Sequence, residues 1–311
     1  MISIIICTRN RAASLRRTIE SVRALSTPPA TAWEFIVVDN GSTDDTRAVV
    51  EAAVAASEID VKYVYEGRKG LSQARNAGIR QARGEVIAFT DDDMLVETDW
   101  LVRIAEQCAQ HPTMTMYFGR TRVSRPEQPR LAIREGDSPV LYRFPCTPNE
   151  PGSGNNMIFR TAVLPLVGEF DVTLGAGTKL GSSEDTDFTY RVLRAGGLVR
   201  YCPEISAIHD HDRLSQDAVR SLLFAYGQGR GGFFCKYILQ RDLWATKMCY
   251  WEVCSFLTML FRRGDTMRAS VHLAGLTSGM FVRLGMEIEA WMQGGIAAKE
   301  LQAYSTSTRA R

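Results

Sequence analysis

The sequence predicts an α/β fold, a sheet covered by helices on both faces, and three observations predict it. Short β-branched runs alternate with helical periodicity through the first half of the chain. The strand-like runs end in polar or acidic residues. The segments between them carry apolar residues at three- and four-residue spacing, as helices lying on a sheet do. Such alternation implies parallel pairing and a sheet buried on both sides.

ISIIICT (2–8) is the first strand. With no basic stretch before it and no A-x-A site after it, it reads as a strand and not as a signal peptide. RAASLRRTIESVRAL (11–25) has Leu15, Ile19 and Val22 on one helical face, with Ser14 as a candidate cap. WEFIVVD (33–39) is the second strand and runs into the turn-rich NGSTDDT, where Thr43 or Asp44 can cap the helix TRAVVEAAVAA (46–56). VKYVYE (61–66) is the third strand; Gly70 precedes the amphipathic helix LSQARNAGIRQAR (71–83). EVIAFTDDD (85–93) is the fourth strand and DWLVRIAEQCAQ (99–110) the fourth helix.

TMTMYFGRTRV (113–123) reads as strand, and the proline-rich stretch 126–151 as mostly loop. GSGNNMIFR (152–160) is strand and TAVLPLVGEF (161–170) a short helix. A Gly-rich loop with Gly175, Gly177 and Gly181 leads into the helix SEDTDFTYRVLRAGG, closed by Gly196 and Gly197 as C-caps. LVRYCPEISAIHDHD (198–212) is the final strand.

The 311 residues suffice for one large domain or two smaller ones, read as 1–213 and 214–311. A net charge of +2 gives no footing for nucleic-acid binding. The charge is uneven: from Arg213 onward 13 Lys/Arg stand against 7 Asp/Glu, a balance of +6 that leaves −4 for the rest. Seven scattered cysteines without a C-x-x-C pair fit a reducing compartment, not a disulfide framework or a zinc knuckle.

After residue 214 aromatics and methionines dominate. Residues 243–261 are 19 long but contain Lys247 and Glu252. A charge at the bilayer centre costs roughly 2.5–3.5 kcal/mol on insertion scales, so the expectation is helices lying in the membrane interface rather than a span. Arg262, Arg263 and Arg268 would then lie near lipid headgroups. The other readings of 215–311 are a packed helical subdomain, an oligomer interface, or a span.

Asp91, Asp92 and Asp93 stand together at a strand end with nothing basic beside them in sequence. Adjacent carboxylates there cap a helix, lie solvated, or hold a hard divalent cation. In open α/β sheets ligands bind outside the carboxyl ends of the strands, where Asp39 also falls. Glu184 and Asp185 open a helix, and His209 and His211 end the last strand. Each has a plainer reading: Asp39 as turn former, Glu184 and Asp185 as charges favoured by a helix dipole, His209 as a structural residue.

Taken together, ICTRNR, VVDNGSTDDT, GLSQARNAG, FTDDDM, EDTDFTYRVLRAGG and HDH resemble family 2 glycosyltransferases of the GT-A fold, in order from residue 3 to about 211. The resemblance implies a Rossmann-like, mixed and mostly parallel sheet; the helical C-terminal region after residue 214 lies outside the shared core, and no residue role carries into it. It implies that Thr8, Arg11, Asp39, Arg75, Asp91 and Asp92 contact a nucleotide sugar, with Asp39 accepting a hydrogen bond from the base, usually uracil. Asp93 and His209 would hold Mg²⁺ or Mn²⁺ on the diphosphate, His209 being preferred to His211. Asp185 would be the base that deprotonates the acceptor hydroxyl, with Glu184 second to it. The chemistry implied is single displacement with inversion, using a UDP-sugar (dTDP and GDP staying open) and a glycan or lipid-linked acceptor. The Gly175–Gly181 loop would order over the donor. The implied place is the cytoplasm, at the inner face of the membrane. A non-catalytic nucleotide-sugar-binding or membrane scaffold protein is the alternative. A nucleotidyltransferase would want a Gly-rich N-terminal signature, and ICTRNRAAS has no glycine.

Overall fold

A computed structural model describes the chain apart from residues 29–30, 56–59, 212–214, 263–265 and 309–311, with side chains described up to residue 293. The expected domain boundary at 213/214 and Arg263 lie outside the described residues. Contacts divide the chain into two compact units: Met1–Thr178 with Ser183–Val219, and Lys179–Ser182 with Arg220–Arg311.

The first unit holds a nine-stranded sheet. Its strands are β1 (Ile2–Thr8), β2 (Trp33–Asp39), β3 (Val61–Tyr65), β4 (Val86–Asp91), β5 (Met94–Val96), β6 (Met116–Val123), β7 (Val140–Tyr142), β8 (Asn156–Arg160) and β9 (Val199–His209). Their order is β3-β2-β1-β4-β8-β6-β9-β5, and β7 also pairs with β9. β3, β2, β1 and β4 are parallel. β8 enters antiparallel between β4 and β6, and β5 and β7 run antiparallel to β9. The sheet is therefore mixed, as the family resemblance implied, where the alternation of the first half alone implied parallel pairing. The antiparallel pairs all come from the later strands: β8 beside β4 and β6, and β5 and β7 beside β9.

Helices α1 (Ala12–Arg23), α2 (Thr46–Ala55) and α4 (Trp100–Gln110) cover one face, burying Leu15, Ile19, Val50, Trp100 and Ile104 against Ile4, Ile6, Phe35 and Val37. The opposite face takes Ile5, Ile36, Val38 and Phe89 under α3 (Leu71–Gln81) and α6 (Glu184–Arg194). Alternate residues of each central strand thus bury to opposite sides, and each fully buried aliphatic contributes about 1.5–3 kcal/mol. A short turn (Thr161–Val163) and α5 (Leu164–Val167) precede α6. α6 closes on Gly196 at φ 84, where a side chain would be strained.

Ser14 is not a cap. α1 begins at Ala12, and the Ser14 hydroxyl donates to the Asp92 carbonyl at 2.8 Å. Asp44, one residue before the N-cap position, accepts the Thr46 amide at 3.1 Å.

The second unit comprises most of α7 (Gln216–Leu239), α8 (Leu243–Met259) and α9 (Thr266–Thr308). Glycine sets the approach of α7 to α9. A Cβ on Gly227 or Gly231 would overlap the carbonyls of His272 or Leu276, and one on Gly275 or Gly279 those of Phe224 or Gln228. Two small-xxx-small seams therefore bring the two backbones together. Among the described residues no helix is long and apolar enough to cross a membrane.

Candidate functional site

Strand order reverses around β1, with β2 on one side and β4 on the other. That is the switch point at which open α/β sheets hold ligands. Register brings the expected residues to it: Thr8 is level with Asp39, and Cys7 with Asp91.

The positive charge missing beside the three aspartates in sequence arrives from elsewhere. Arg11, at the start of α1, places Nη1 2.7 Å from Asp92 and Nη2 2.9 Å from Asp93. The Thr8 hydroxyl donates to the other Asp92 oxygen at 2.7 Å. Asp92 is thus committed to Thr8 and Arg11. Burial still pushes its carboxyl up to about 7, against the pull of Arg11. For Arg11, burial disfavours the charge, but Asp92 and Asp93 outweigh it and hold the guanidinium above its ordinary value.

Arg75, on α3, is 2% exposed. It binds Glu184 at 2.8 Å, lies 3.6 Å from Asp91, and donates to the Gly154 carbonyl at 3.2 Å. The rings of Phe89 and Phe170 flank it, each centroid 5.4 Å from the guanidinium carbon. Arg75 is therefore an interior tie between α6 and the end of β4. Burial pushes Glu184 up to about 7 although Arg75 draws it down. Asp91, raised by burial against Arg75, keeps a partly exposed side chain.

Asp185 sits one residue on, half-buried. One carboxylate oxygen accepts the Gly154 amide at 2.7 Å and the other its neighbour's amide, Thr186, at 2.6 Å. Both bonds fix the carboxylate's orientation while it stays reachable. Glu184, the other member of the pair, is spent on Arg75.

His209 meets Asp93 because β5 pairs with β9, setting Met94 opposite His209. Its Nε2 lies 3.3 Å from Asp93 Oδ1. Its Nδ1 is buried without a hydrogen-bond partner among the described residues. His211 lies past the strand end, its Nε2 at 3.2 Å from the Pro129 carbonyl, so it anchors the 125–129 turn instead. Asp210, between them, binds Arg17 at 3.2 Å and Ser124 at 2.7 Å.

Asp39 ends β2 with both oxygens engaged, by the Ser42 amide at 2.8 Å and the Tyr63 hydroxyl at 2.9 Å. Asn40 donates to the Arg68 carbonyl at 2.8 Å and accepts the Gly70 amide at 2.8 Å, joining β2 to the start of α3. The Gly-rich loop is tied to that same helix start, the Leu71 amide donating to Ala176 and the Ser72 hydroxyl to Leu174.

The expected residues thus form two linked groups: Thr8, Arg11, Asp92, Asp93 and His209, and Arg75, Asp91, Glu184 and Asp185. Asp39 stands apart at the end of β2. Sequence reasoning passed over Tyr63 and the Gly154 amide, which orient Asp39 and Asp185, and read Ser14, which bonds the Asp92 carbonyl, as a cap. Only Tyr63 left a signal, as a strand residue two before the register partner of Asp39.

The residues fit a divalent cation. Two ligands about 2.1 Å from one ion lie roughly 3 Å apart, close to the Asp93–His209 separation, and Mg²⁺ takes few protein ligands beside substrate phosphates. No cage of three His, Cys, Asp or Glu side chains occurs among the described residues.

A family model described as glycosyl transferase family 2 matches residues 3–164. The chain is 30% identical over 236 residues to succinoglycan biosynthesis protein ExoM of Rhizobium meliloti, covering 74% of each. It is 28% identical over 236 residues to the pre-mycofactocin glycosyltransferase of Mycobacterium tuberculosis, covering 73% of this chain but 46% of that protein. Among solved structures, the mannosyltransferase PcManGT of Pyrobaculum calidifontis in complex with GDP-Man and Mn2+ superposes with a TM-score of 0.58 at 19% identity, over 96% of this chain and 79% of that one. S. aureus TarS 1-349 in complex with UDP-GlcNAc gives 0.55 at 17% identity, over 94% and 92%. The solved structures share the fold, and the family match with the sequence relatives shows that the chain belongs to glycosyl transferase family 2.

Proposed function

We propose that the first unit catalyses metal-dependent transfer, with inversion, of a sugar from a nucleoside-diphosphate sugar to a hydroxyl acceptor. UDP is the nucleotide we name, and a glycan or lipid-linked saccharide the acceptor. One observation carries the reading: Asp93 and His209 meet beside Arg11, while Asp185 stays reachable in the neighbouring group. That is a cation-and-anion site next to a base, as displacement of a diphosphate requires.

In this reading Asp39 receives the base, and Thr8, Asp91 and Asp92 line the ribose and sugar end. Arg75 serves through Asp91 and Glu184 rather than by direct contact. Asp93 and His209 hold Mg²⁺ or Mn²⁺, which when bound supplies Lewis-acid neutralisation of the leaving diphosphate. The acceptor oxygen attacks the anomeric carbon as the bond from that carbon to phosphate oxygen breaks. The acceptor proton passes to Asp185, and the nucleoside diphosphate leaves as the anion with Arg11 beside it. The loop through Gly175 and Gly177 orders over the donor. A solved neighbour bound to GDP-Man with Mn2+ and another bound to UDP-GlcNAc support donor class and metal. We place the protein in the cytoplasm, at the inner face of the membrane through its second unit.

The test is Asp185→Asn. It keeps nucleotide binding and loses transfer by at least a hundredfold, the lower range for general-base catalysis. Transfer retained in the variant moves the base elsewhere. Transfer absent from the unsubstituted enzyme with every nucleotide sugar would instead favour the non-catalytic binding protein.

A further inference from the structure

α8 carries a single acidic residue, Glu252, and turns it inward. Glu252 binds Arg230 of α7 through Nε at 3.0 Å and through Nη2, and the His272 ring of α9 at 3.1 Å. Phe256 stacks on that ring, centroids 4.0 Å apart. The outward side of α8 is consequently free of acid. Leu243 is 83% exposed, Tyr250 66%, and Phe261, just past the helix end, 90%.

Lys247 lies on this side, its ammonium 5.5 Å from the Trp244 ring centroid and 4.7 Å from that of Trp251. The two indoles meet edge-on at 5.6 Å. Arg241 and Arg262 are exposed just before and just after the helix. Asp242, the acid closest to this side in sequence, caps the helix by accepting the Trp244 and Ala245 amides. The face is aromatic and aliphatic along its length, cationic in its second turn and flanked by cations.

We propose that this face of α8 lies in the surface of an anionic lipid bilayer, with Lys247, Arg241 and Arg262 at the phosphates and Leu243, Tyr250, Trp251 and Phe261 at the level of the upper acyl chains. Charge complementarity selects this occupant. A second copy paired through the same face would bring the same three cations against each other, whereas lipid phosphates answer them. Trp and Tyr beside Lys is the composition that settles at headgroup depth, and at 17 residues α8 lies along the surface rather than across it. The inference rests on the proposed membrane association of the second unit and names its surface and lipid class.

The full-length protein is floated with vesicles of phosphatidylcholine alone and of phosphatidylcholine with phosphatidylglycerol. Binding is expected to the second kind and to weaken with salt. Lys247→Gln should lower the partition coefficient roughly fivefold, the worth of one surface cation. Leu243→Ser with Phe261→Ser should lower it further, with circular dichroism and nucleotide binding unchanged, since both side chains are exposed. If the unsubstituted protein floats with neither vesicle, membrane association fails as a whole. If it floats and the substituted proteins float equally well, only the assignment to α8 fails. A substituted protein that turns from dimer to monomer in light scattering, with flotation unchanged, would make the face an interface between copies and overturn the proposal.

Discussion

Two arginines divide the three aspartates between them. Arg11 takes Asp92 and Asp93, and Arg75 takes Asp91 together with Glu184. The repulsion within the triplet persists in the fold, but guanidiniums from the start of α1 and from α3 oppose it. The carboxylates differ in what they have left to offer. Asp92 has its oxygens on Thr8 and Arg11, whereas Asp93 shares Arg11 on one oxygen and turns the other to the His209 ring. Arg75→Met would take from the buried Glu184 its ion-pair partner. Removing one partner of a buried ion pair costs about 3–5 kcal/mol, so urea unfolding should show a loss of that size. Arg75→Lys should recover part of the charge but not the forked geometry that reaches Glu184 and Gly154 together. A loss below 1 kcal/mol in Arg75→Met would mean that Glu184 accepts a proton instead.

At the scale of elements, short pairings do most of the positioning. Three residues of β5 set the register that carries His209 to Asp93, and the first turn of α6 presents Glu184 inward and Asp185 toward the Gly154 amide. In the second unit, the glycine seams of α7 and α9 let three helices close around Arg230, Glu252 and His272. Burial alone would raise Glu252, but Arg230 and His272 overcome it and hold the carboxyl down at about 2. The folded value is below the ordinary 4.5, so its contribution to stability is present above that value and is lost as pH falls from about 4.5 toward about 2. Melting temperature should drop through that window, and Glu252→Gln should flatten the drop while lowering stability at neutral pH. Gly231→Ala should also destabilise, because its methyl would overlap the Leu276 carbonyl. A melting temperature unchanged within error would show that α7 and α9 can move apart at no cost.

For the whole molecule, the proposed site links stability to ligand. A ligand at a hundred times its dissociation constant stabilises the native state by about 2.7 kcal/mol. UDP with Mn²⁺ or Mg²⁺ should therefore raise the melting temperature, and Asp93→Ala should remove the metal-dependent part of that rise. The same measurement with GDP and dTDP ranks the nucleotides, and a larger shift with GDP would overturn the naming of UDP. An equal metal-dependent shift in Asp93→Ala would place the cation elsewhere. Flotation of the intact chain reports on the second unit independently of these shifts.

The sequence by itself determined the α/β class, nearly every strand and helix, the family, and the residue types that gather at the strand ends. It could do so because burial imposes periods of two and 3.6 on a chain and turn residues punctuate them. It did not contain the antiparallel turn of the sheet at β8 and β5, since pairing direction is a contact between distant segments. Nor did it decide which histidine meets Asp93, that Asp185 rather than Glu184 stays reachable, or that Glu252 leaves the surface of α8. Arg11 reaches Asp92 across 81 residues, and Arg75 reaches Glu184 across 109. Only the tertiary structure decides such meetings, because they are set by register and packing, and local residue order carries neither.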